Sequence, residues 1–516
     1  MIGVVALALG CGARTAGWEA QADPAGESTP GAGAAGSLGT AGHGARSSCG
    51  SAGQIGAGGA LSMAGAPAGG AFEFAGGAGV SGFSGAGAVS GSGGTGGTPT
   101  AGAGGSAGAA GAAGAAGAAG AGGNAQSVTE LALGDRFSCA LFAGGTVRCW
   151  GRGGVIGSGN HASIGDDETP AAVADVNVGG RVTQLAACGT HTCALLDTGN
   201  VRCWGMASFG ALGYGNAQDI GDDEAPASAG DLKIGGRVTQ ISAGLNHTCA
   251  LLDTGNVRCW GNASNGQLGY GNRINIGDDE APAVAGDVQV GGRVIPIAAG
   301  YLHTCALLER GRVRCWGWSD RGRLGYGNQT DIGDDETPAS AGDVNVGGRV
   351  LQISAGGAHT CALLATGSVR CWGWAYLGRL GYGNQTDIGD TETPASAGDV
   401  PVGDIVQQVI GGGAHTCAKL VTGALRCWGR GEFGELGYAR GTNNVGDNTI
   451  PSALGDVPVG GQVSHFALGL NHTCATLSAG QVRCWGEATF GALGYGNLKQ
   501  IGDDETPVSV GDVPFF

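Results

Sequence analysis

The chain has 516 residues, of which 26 are basic and 42 are acidic, so its formal net charge at pH 7 is −16. A surface this acidic repels the phosphate backbone of DNA and RNA, which argues against a nucleic-acid partner. Beyond its first residues, the sequence has no stretch that approaches the roughly 20 apolar residues of a membrane-spanning helix.

The N-terminus, MIGVVALALGCGA, has an apolar run that ends in Gly10-Cys11. It resembles a bacterial lipoprotein signal, in which a small residue precedes the cysteine that receives the lipid. Two features depart from that pattern: Ala8 stands where leucine is commoner, and no basic residue precedes the apolar run. We expect residues 1–11 to be an export signal with Cys11 as the lipidation site, and ordinary secretion or a chance apolar start are the alternatives. A stable membrane anchor would then need more than one acyl chain on Cys11.

Residues 12–126 are dominated by glycine, alanine, serine and threonine. The spacing is not a strict Gly-X-Y repeat with proline, so collagen is excluded. A segment of this composition cannot bury enough apolar surface to offset its chain entropy. The sequence therefore predicts a disordered tether, and the alternative is a low-complexity segment that arose by sequence drift and has no function.

From residue 127 onwards one unit recurs seven times, and its clearest copy is HTCALLDTGNVRCWG at residues 247–261. The first cysteines of successive units are 54 to 57 residues apart. Seven copies at one period indicate a repeat architecture. The two cysteines of each unit are Cys139 and Cys149, Cys193 and Cys203, Cys249 and Cys259, Cys305 and Cys315, Cys361 and Cys371, Cys417 and Cys427, and Cys474 and Cys484.

Each unit contains a β-hairpin. In the third copy, two strand-like runs are separated by Asp253-Thr254-Gly255, a three-residue loop whose last residue takes a left-handed conformation. Pairing outward from this loop places Cys249 opposite Cys259, with Cβ atoms about 4.5–5.5 Å apart. We therefore predict a disulfide in every unit. Buried free thiols are one alternative, and a zinc site, for which each hairpin offers two of four ligands, is another.

Two further cysteines, Cys49 and Cys188, lie outside this pattern, and a bond between them is the alternative to two separate thiols. Each unit has four extended runs, which in the third copy are residues 237–243, 247–252, 256–260 and 283–290. Short strands at regular spacing favour a propeller whose blades have four strands.

The shared pattern is G-x-x-H-T-x-A-L-x-x-x-G-x-V-x-x-W-G, followed by G-x-L-G-Y-G. It resembles the regulator of chromosome condensation repeat family, whose units are blades of a seven-bladed β-propeller. The residues of the third copy that match are His247, Thr248, Ala250, Leu251, Gly255, Val257, Trp260, Gly261, Gly266, Leu268, Gly269 and Gly271. The resemblance implies that residues 127–516 form an all-β, closed ring of seven blades, with residues 127–133 and 505–516 meeting in one blade. The first unit departs from the pattern, because Phe137 replaces the histidine.

Three polar features recur with the repeat. The histidines are expected to make structural hydrogen bonds to neighbouring backbone groups, and they are His191, His247, His303, His359, His415 and His472. The arginine before each second cysteine predicts a fixed ion pair with the acidic loop of a neighbouring unit. That loop reads IGDDE at residues 164–168, 220–224, 276–280, 332–336 and 501–505. Turn formation and solubility explain the loop, and calcium is the alternative. The EF-hand spacing is absent, and consecutive acids on an extended chain point to opposite sides.

The loop after Trp-Gly departs from the repeat in two adjacent units, with tryptophan at one position and arginine at another. Blade symmetry places these residues on one rim, where they predict a basic and aromatic binding patch. Packing variants exposed by chance are the alternative. The candidate residues are Trp318, Arg321, Arg323, Trp374, Tyr376 and Arg379.

No P-loop, HExxH or GxSxG motif occurs, and catalysis would need residues that depart from the repeat. The sequence therefore favours a non-catalytic, monomeric binding scaffold that is displayed on the cell envelope or secreted. We expect an unidentified protein or glycan partner, no cofactor and no metal, and contact with a membrane through the lipid alone. The alternatives are a guanine-nucleotide exchange regulator, as the resemblance implies, a carbohydrate-acting propeller enzyme, and a purely structural surface protein.

Overall fold

The computed structural model describes Ser51–Ala52 and residues 126–516, with the exception of Thr442. The predicted lipidation site Cys11, the cysteine Cys49 and nearly all of the predicted tether lie outside the described residues. In the described part of the chain, the strands form seven antiparallel sheets, each with three consecutive strands, and one of these sheets has an additional two-residue strand. These sheets are numbered blades 1 to 7 in chain order, and they confirm the predicted all-β propeller.

The strands are short, with five to seven residues in each blade strand. Their bounds, blade by blade, are as follows: β2 (Val128–Leu133), β3 (Phe137–Phe142) and β4 (Val147–Gly151); β5 (Val182–Cys188), β6 (His191–Leu196) and β7 (Val201–Gly205); β8 (Val238–Ala243), β9 (His247–Leu252) and β10 (Val257–Gly261); β11 (Val294–Ala299), β12 (His303–Leu308) and β13 (Arg312–Gly317); β14 (Val350–Ala355), β15 (His359–Leu364) and β16 (Val369–Gly373); β17 (Val406–Gly411), β18 (His415–Leu420) and β19 (Leu425–Gly429); β20 (Val463–Leu468), β21 (His472–Leu477) and β22 (Val482–Gly486).

The hairpin register follows the sequence prediction. In blade 3, Cys249 lies opposite Cys259 in the ladder between β9 and β10. Gly255 closes the loop with φ +86°, and its N–H donates to the carbonyl of Leu252 over 2.9 Å. A glycine is needed here because an L side chain in this conformation is strained.

The prediction of a fourth strand at residues 283–290 is wrong. This run lies outside any strand, and in all seven blades it begins with a single helical turn whose first residue is a buried proline. Proline fixes φ near −65°, which suits the start of a helix, and in blade 3 Gly286 ends the turn with φ +74°. The outer edge of the blade is instead made by an isolated bridge between Gly261 and Ile276.

The helical segments of the described residues are all three or four residues long, so none is long and apolar enough to cross a membrane. Four are α-helical turns: α1 (Pro282–Ala285), α2 (Pro338–Ala341), α3 (Pro394–Ala397) and α4 (Pro507–Val510). The 3-10 turns are Pro170–Ala172, Ser208–Gly210, Pro226–Ala229, Glu309–Gly311, Asp320–Gly322, Tyr376–Gly378, Pro451–Ala453 and Thr489–Gly491.

The first strand of every blade faces the centre of the ring, where it lies beside the first strands of both neighbouring blades. In particular, β2 of blade 1 contacts both β5 of blade 2 and β20 of blade 7, so the ring is closed. Between the blades lies a core in which each Trp-Gly tryptophan is fully buried. These tryptophans are Trp150, Trp204, Trp260, Trp316, Trp372, Trp428 and Trp485.

The two ends of the propeller meet at the junction of blades 7 and 1, not in one blade as expected. The C-terminal segment begins its contacts on blade 7, where the N–H of Val513 donates to the carbonyl of Val482. It ends on blade 1, where the Phe515 ring packs against Phe142 and Trp150 with centroids 5.7 and 5.3 Å apart. The segment therefore joins two blades as a strap and adds no strand.

A further strand, β1 (Ser51–Ala52), pairs antiparallel with the inner edge of β14 through Ser51 and Ala355. It also lies close to β5, β8, β11 and β17, the inner strands of four other blades. This part of the N-terminal region therefore lies in the axial channel of the ring.

Candidate binding face

The loop after each third strand reaches the end of the blade at which the histidine strand begins. The Thr-Gly hairpin turns lie at the opposite end, as the pairing of Gly261 with His247 and of Val257 with Leu251 shows. Because every blade repeats this arrangement, these loops all lie on one face of the ring. We call the five residues after Trp-Gly the tip loop, and the surface that they form the tip face. The tip loops of blades 2 to 7 are residues 206–210, 262–266, 318–322, 374–378, 430–434 and 487–491.

Three of the six candidate patch residues, Trp374, Tyr376 and Arg321, come together at the surface between blades 4 and 5. The rings of Trp374 and Tyr376 stack with centroids 5.2 Å apart and planes 18° apart, and Tyr376 is 48% exposed. The guanidinium carbon of Arg321 lies 5.9 Å from the Trp374 ring, and its Nη1 is 3.4 Å from Asp387 Oδ2. Trp318 is half-buried on the preceding blade.

Arg323 and Arg379, which were expected in the same surface patch, are buried with exposures of 3% and 4%. Each guanidinium lies against the indole of its own tip loop, at 4.3 Å from Trp318 and 4.6 Å from Trp374. Burial lowers the pKa of Arg323 to about 10 and that of Arg379 to about 9. The prediction of a basic patch is therefore corrected, because these two positive charges lie beneath the aromatic rings and only Arg321 is exposed.

Sequence reasoning missed two further aromatic residues on the tip face. Phe209 in blade 2 is 51% exposed, and Phe490 in blade 7 is 42% exposed. Both have a left-handed backbone, with φ of 59° and 58°, as do Arg321 and Leu377. All four residues directly precede the glycine that ends the tip loop. Aligning this position across the units would have revealed the signal.

The acidic loops lie directly beside the tip loops. A Cβ built on Gly210 would lie 2.5 Å from the backbone nitrogen of Asp278, and one built on Gly491 would lie 2.3 Å from that of Asp166. Each tip loop thus packs on the acidic loop of the next blade around the ring. Tip loops and acidic loops therefore alternate on one face.

In five acidic loops the carboxylates of the Asp-Asp-Glu triplet lie within 4.8 Å of one another. The expectation that consecutive acids point apart is wrong, because the loop bends after the bridge to Ile276. Burial and the two neighbouring aspartates raise the pKa of Glu280 and of Glu336 to about 7. The alternative of calcium binding stays a prediction.

The recurring histidines connect neighbouring blades. For five of the six, the partner is the threonine side chain of the next blade and not the backbone group that was expected, whereas His472 bonds to Ser138 of blade 1. His247 Nε2 lies 2.9 Å from Thr304 Oγ1, whose hydroxyl also donates to the carbonyl of Gln267. Burial lowers the pKa of His247 to about 3. The same contact joins His191 to Thr248, His303 to Thr360, His359 to Thr416, and His415 to Thr473.

The recurring arginines do form fixed ion pairs, but not with the acidic loops. Arg258 Nε lies 2.8 Å from Asp287 Oδ1 in its own unit. The Nη1 of Arg258 also donates to the carbonyl of Ile234 in the preceding unit. The equivalent pairs are Arg148–Asp175, Arg202–Asp231, Arg314–Asp343, Arg370–Asp399, Arg426–Asp456 and Arg483–Asp512.

All seven hairpin cysteine pairs are joined as disulfides, with Cα atoms 4.0–4.1 Å apart. Each disulfide crosses between the second and third strands of its blade. Cys188 ends β5 and is fully buried.

The repeats match two sequence profiles that are both described as "Regulator of chromosome condensation (RCC1) repeat". One profile matches residues 128–155, 182–211, 238–267, 294–323, 350–379 and 463–492, and the other matches residues 198–251, 254–307 and 310–363. Over 376 residues the chain is 32% identical to the ultraviolet-B receptor UVR8 of Arabidopsis thaliana, which covers 72% of this chain and 79% of that protein. It is also 28% identical over 327 residues to the E3 ubiquitin-protein ligase HERC2 of Homo sapiens. That match covers 61% of this chain but 6% of HERC2.

Solved structures show the same fold. Human WBSCR16 superposes with a TM-score of 0.53 at 22% identity, over 68% of this chain and 88% of that one. Yeast RCC1 (Prp20), in its complex with Kap60, superposes with a TM-score of 0.55 at 19% identity, over 74% of this chain and 85% of that one. Together, the repeat matches, the extended identity to the plant receptor and the closed ring show that the chain belongs to the regulator of chromosome condensation repeat family.

Proposed function

We propose that this protein is a non-catalytic propeller that binds a protein or glycan partner through its tip face. The observation that carries this proposal is the surface cluster of half-buried Trp374 with exposed Tyr376 and Arg321, which forms where the sequence departs from the repeat. Tryptophan, tyrosine and arginine are the residues that most often contribute strongly to binding free energy at interfaces. They also suit the flat apolar faces of sugars.

The chemistry of the repeats supports binding over catalysis. The six histidines are the side chains best suited to acid–base chemistry near neutral pH, and each is buried and hydrogen-bonded to a neighbouring blade. Burial holds their pKa values far below the usual range, at about 4 for His191. These histidines serve blade packing. They therefore give no support to the two alternatives, a guanine-nucleotide exchange regulator and a carbohydrate-acting enzyme.

An exchange-factor role has fold-level support alone. A solved structure of yeast Prp20p is described together with its binding to Gsp1p and histones, but this chain is only 20% identical to it. At that identity the likeness concerns the propeller fold alone. The binding role therefore rests on this chain's own tip face.

We further propose that the protein is exported, with residues 1–11 as the signal, residues 12–126 as a tether and residues 127–516 as the propeller. Seven disulfides favour an oxidising compartment. Mass spectrometry of peptides from the native protein, alkylated without reduction, should recover every hairpin as a crosslinked pair. Alkylated thiols at these positions would contradict export. Metabolic labelling with a fatty acid, lost in a Cys11→Ser variant, tests the anchor.

Binding is tested by capturing partners from envelope and extracellular extracts on the immobilised full-length protein. The double variant Trp318→Ala/Trp374→Ala should lose at least about 2 kcal/mol of affinity for a captured partner, with an unchanged melting temperature. Val421→Ala is the control, because Val421 is 56% exposed at the opposite end of its blade. If the melting temperature falls while the affinity holds, the tryptophans serve packing and the proposal is wrong.

A further inference from the structure

The tip face has bulky side chains on a backbone that disfavours them. Phe209 and Phe490 have φ values of 59° and 58°, where a bulky L residue is a clear outlier. Holding one residue in such a conformation costs on the order of 1–3 kcal/mol. Neither side chain recovers this cost by burial, because they are 51% and 42% exposed. Glycine would adopt the same turn without strain, so the fold itself does not account for phenylalanine at these positions.

The surroundings of Phe209 and Phe490 are acidic. The backbone of Gly210, next to Phe209, touches the start of the Asp278–Glu280 triplet, and that of Gly491, next to Phe490, touches the triplet that begins at Asp166. The middle aspartate of each triplet is exposed. Arg321 is paired with Asp387 and Lys499 with Glu505, so basic residues on this face are already partnered by its acids.

Two arginines of the chain show how a positive charge fits between an aromatic ring of the tip face and a carboxylate. Arg321 lies over the Trp374 ring while its Nη1 approaches Asp387. In blade 1, Arg136 lies 6.0 Å from the Phe490 ring, and its Nε is 3.2 Å from Glu487 Oε1. A cation over an aromatic face gains about 0.5–2 kcal/mol, and a nearby carboxylate adds to this attraction. Among residues 126–516, no arginine makes such a contact with Phe209.

We propose that the tip face docks a basic polypeptide segment, whose lysine and arginine side chains lie across Phe209, Tyr376 and Phe490 and reach the carboxylates of the adjacent acidic loops. This inference rests on the proposed binding function and names its partner class. A net charge of −16 gives the charge complementarity. Because the aromatic tips lie on blades 2, 5 and 7, the partner must be extended enough to reach several blades. A metal ion would leave the aromatic rings unused, and a nucleic acid would be repelled.

The test measures binding of a fluorescein-labelled oligoarginine peptide to the full-length protein by fluorescence anisotropy. An oligoglutamate peptide of the same length serves as the charge control. The oligoarginine peptide should bind, and its affinity should fall with added salt because the acidic loops are solvent-exposed. The triple variant Phe209→Gly/Tyr376→Ala/Phe490→Gly should bind the peptide at least about tenfold more weakly than the native protein does.

The same variant separates a docking role from a structural one. Glycine relieves the strain at positions 209 and 490, so the melting temperature of Phe209→Gly and of Phe490→Gly should hold or rise while peptide affinity falls. The matched control is Ile405→Ala/Val421→Ala, which removes two side chains that are 55% and 56% exposed at the opposite end of a blade. This control should bind the peptide as the native protein does.

Two results would overturn the inference. One is oligoarginine binding that the tip variants leave unchanged, because the acidic surface alone would then account for the attraction. The other is a fall in melting temperature in the glycine variants, which would make the phenylalanines packing residues. If either occurs while a captured partner still depends on Trp318 and Trp374, the proposed function stands and only the partner class is wrong.

Discussion

His472 of blade 7 lies 2.8 Å from Ser138 of blade 1, measured from Nε2 to Oγ, and this hydrogen bond closes the ring. Ser138 occupies the position that threonine holds in the other six blades. Its hydroxyl also donates to the carbonyl of Ala492 over 3.0 Å. The junction that joins the two ends of the chain therefore uses the same contact as five of the six junctions within it.

The first prediction concerns this closing contact. Ser138→Ala should destabilise the propeller by about 1–3 kcal/mol, because it leaves His472 and the carbonyl of Ala492 buried without the hydroxyl. Ser138→Thr should retain both bonds, since threonine makes them at the other junctions. Urea unfolding followed by tryptophan fluorescence measures the difference. Equal stability of the native protein and Ser138→Ala would show that the closing bond contributes nothing.

The second prediction compares two threonines at the same position in neighbouring blades. Thr248 bonds to His191 and to the carbonyl of Ala211. The Oγ1 of buried Thr192 has no hydrogen-bond partner among the described residues: Phe137 replaces the histidine, and no carbonyl takes the place of that of Ala211. Thr248→Val should therefore cost about 1–3 kcal/mol, and Thr192→Val should be neutral or stabilising. Thermal unfolding of the two variants side by side decides the matter. Equal destabilisation would contradict the role assigned to the histidine.

The third prediction concerns pH at the same junction of blades 1 and 2. In blade 2, the amide of Gln184 donates to the carbonyl of Ile241 and accepts from its N–H, over 3.0 and 2.9 Å. In blade 1, Glu130 takes this place and accepts from the N–H of Leu185 over 3.3 Å. Burial raises the pKa of Glu130 to about 8, so the carboxyl is protonated at neutral pH and can donate as glutamine does.

A raised pKa means that the folded state binds this proton more tightly than the unfolded state. The contribution of Glu130 to stability is therefore fully present below pH 4.5 and is lost as the pH rises to about 8. Glu130→Gln should raise the melting temperature at pH 8.5 and have little effect at pH 4.5. Differential scanning calorimetry at both pH values measures this, with Gln184→Glu as the reciprocal variant. A stabilisation independent of pH would show that Glu130 is already ionised in the folded protein.

The sequence predicted those features that depend on local geometry or on counting repeats. The loop glycine Gly255 determined the register that pairs Cys249 with Cys259, and seven copies implied seven blades. The partner of each histidine could not be read in this way, because Thr304 lies 57 residues from His247 and meets it only when blades pack. The burial of Arg379 beneath Trp374 likewise depends on how the side chain folds back, which a position in the repeat does not reveal.

The last prediction concerns the C-terminal strap. Phe515 is 7% exposed between Phe142 and Trp150, and its carbonyl accepts from Arg148 Nη1 over 2.6 Å. Phe515→Ala should remove both ring contacts and cost about 3 kcal/mol, as for other buried phenylalanines. The neighbouring Phe516→Ala is the control, because Phe516 is 71% exposed and should cost much less.

Deletion of residues 505–516 should lower the melting temperature further than Phe515→Ala, because it also removes the hydrogen bond from Val513 to Val482 and the ion pair between Arg483 and Asp512. The expected order of melting temperatures is native protein, Phe516→Ala, Phe515→Ala and then the deletion. This order is expected because the strap joins the first and last blades of the ring. A deletion that melts like the native protein would mean that blades 7 and 1 hold together without the strap, through contacts such as that of His472 with Ser138.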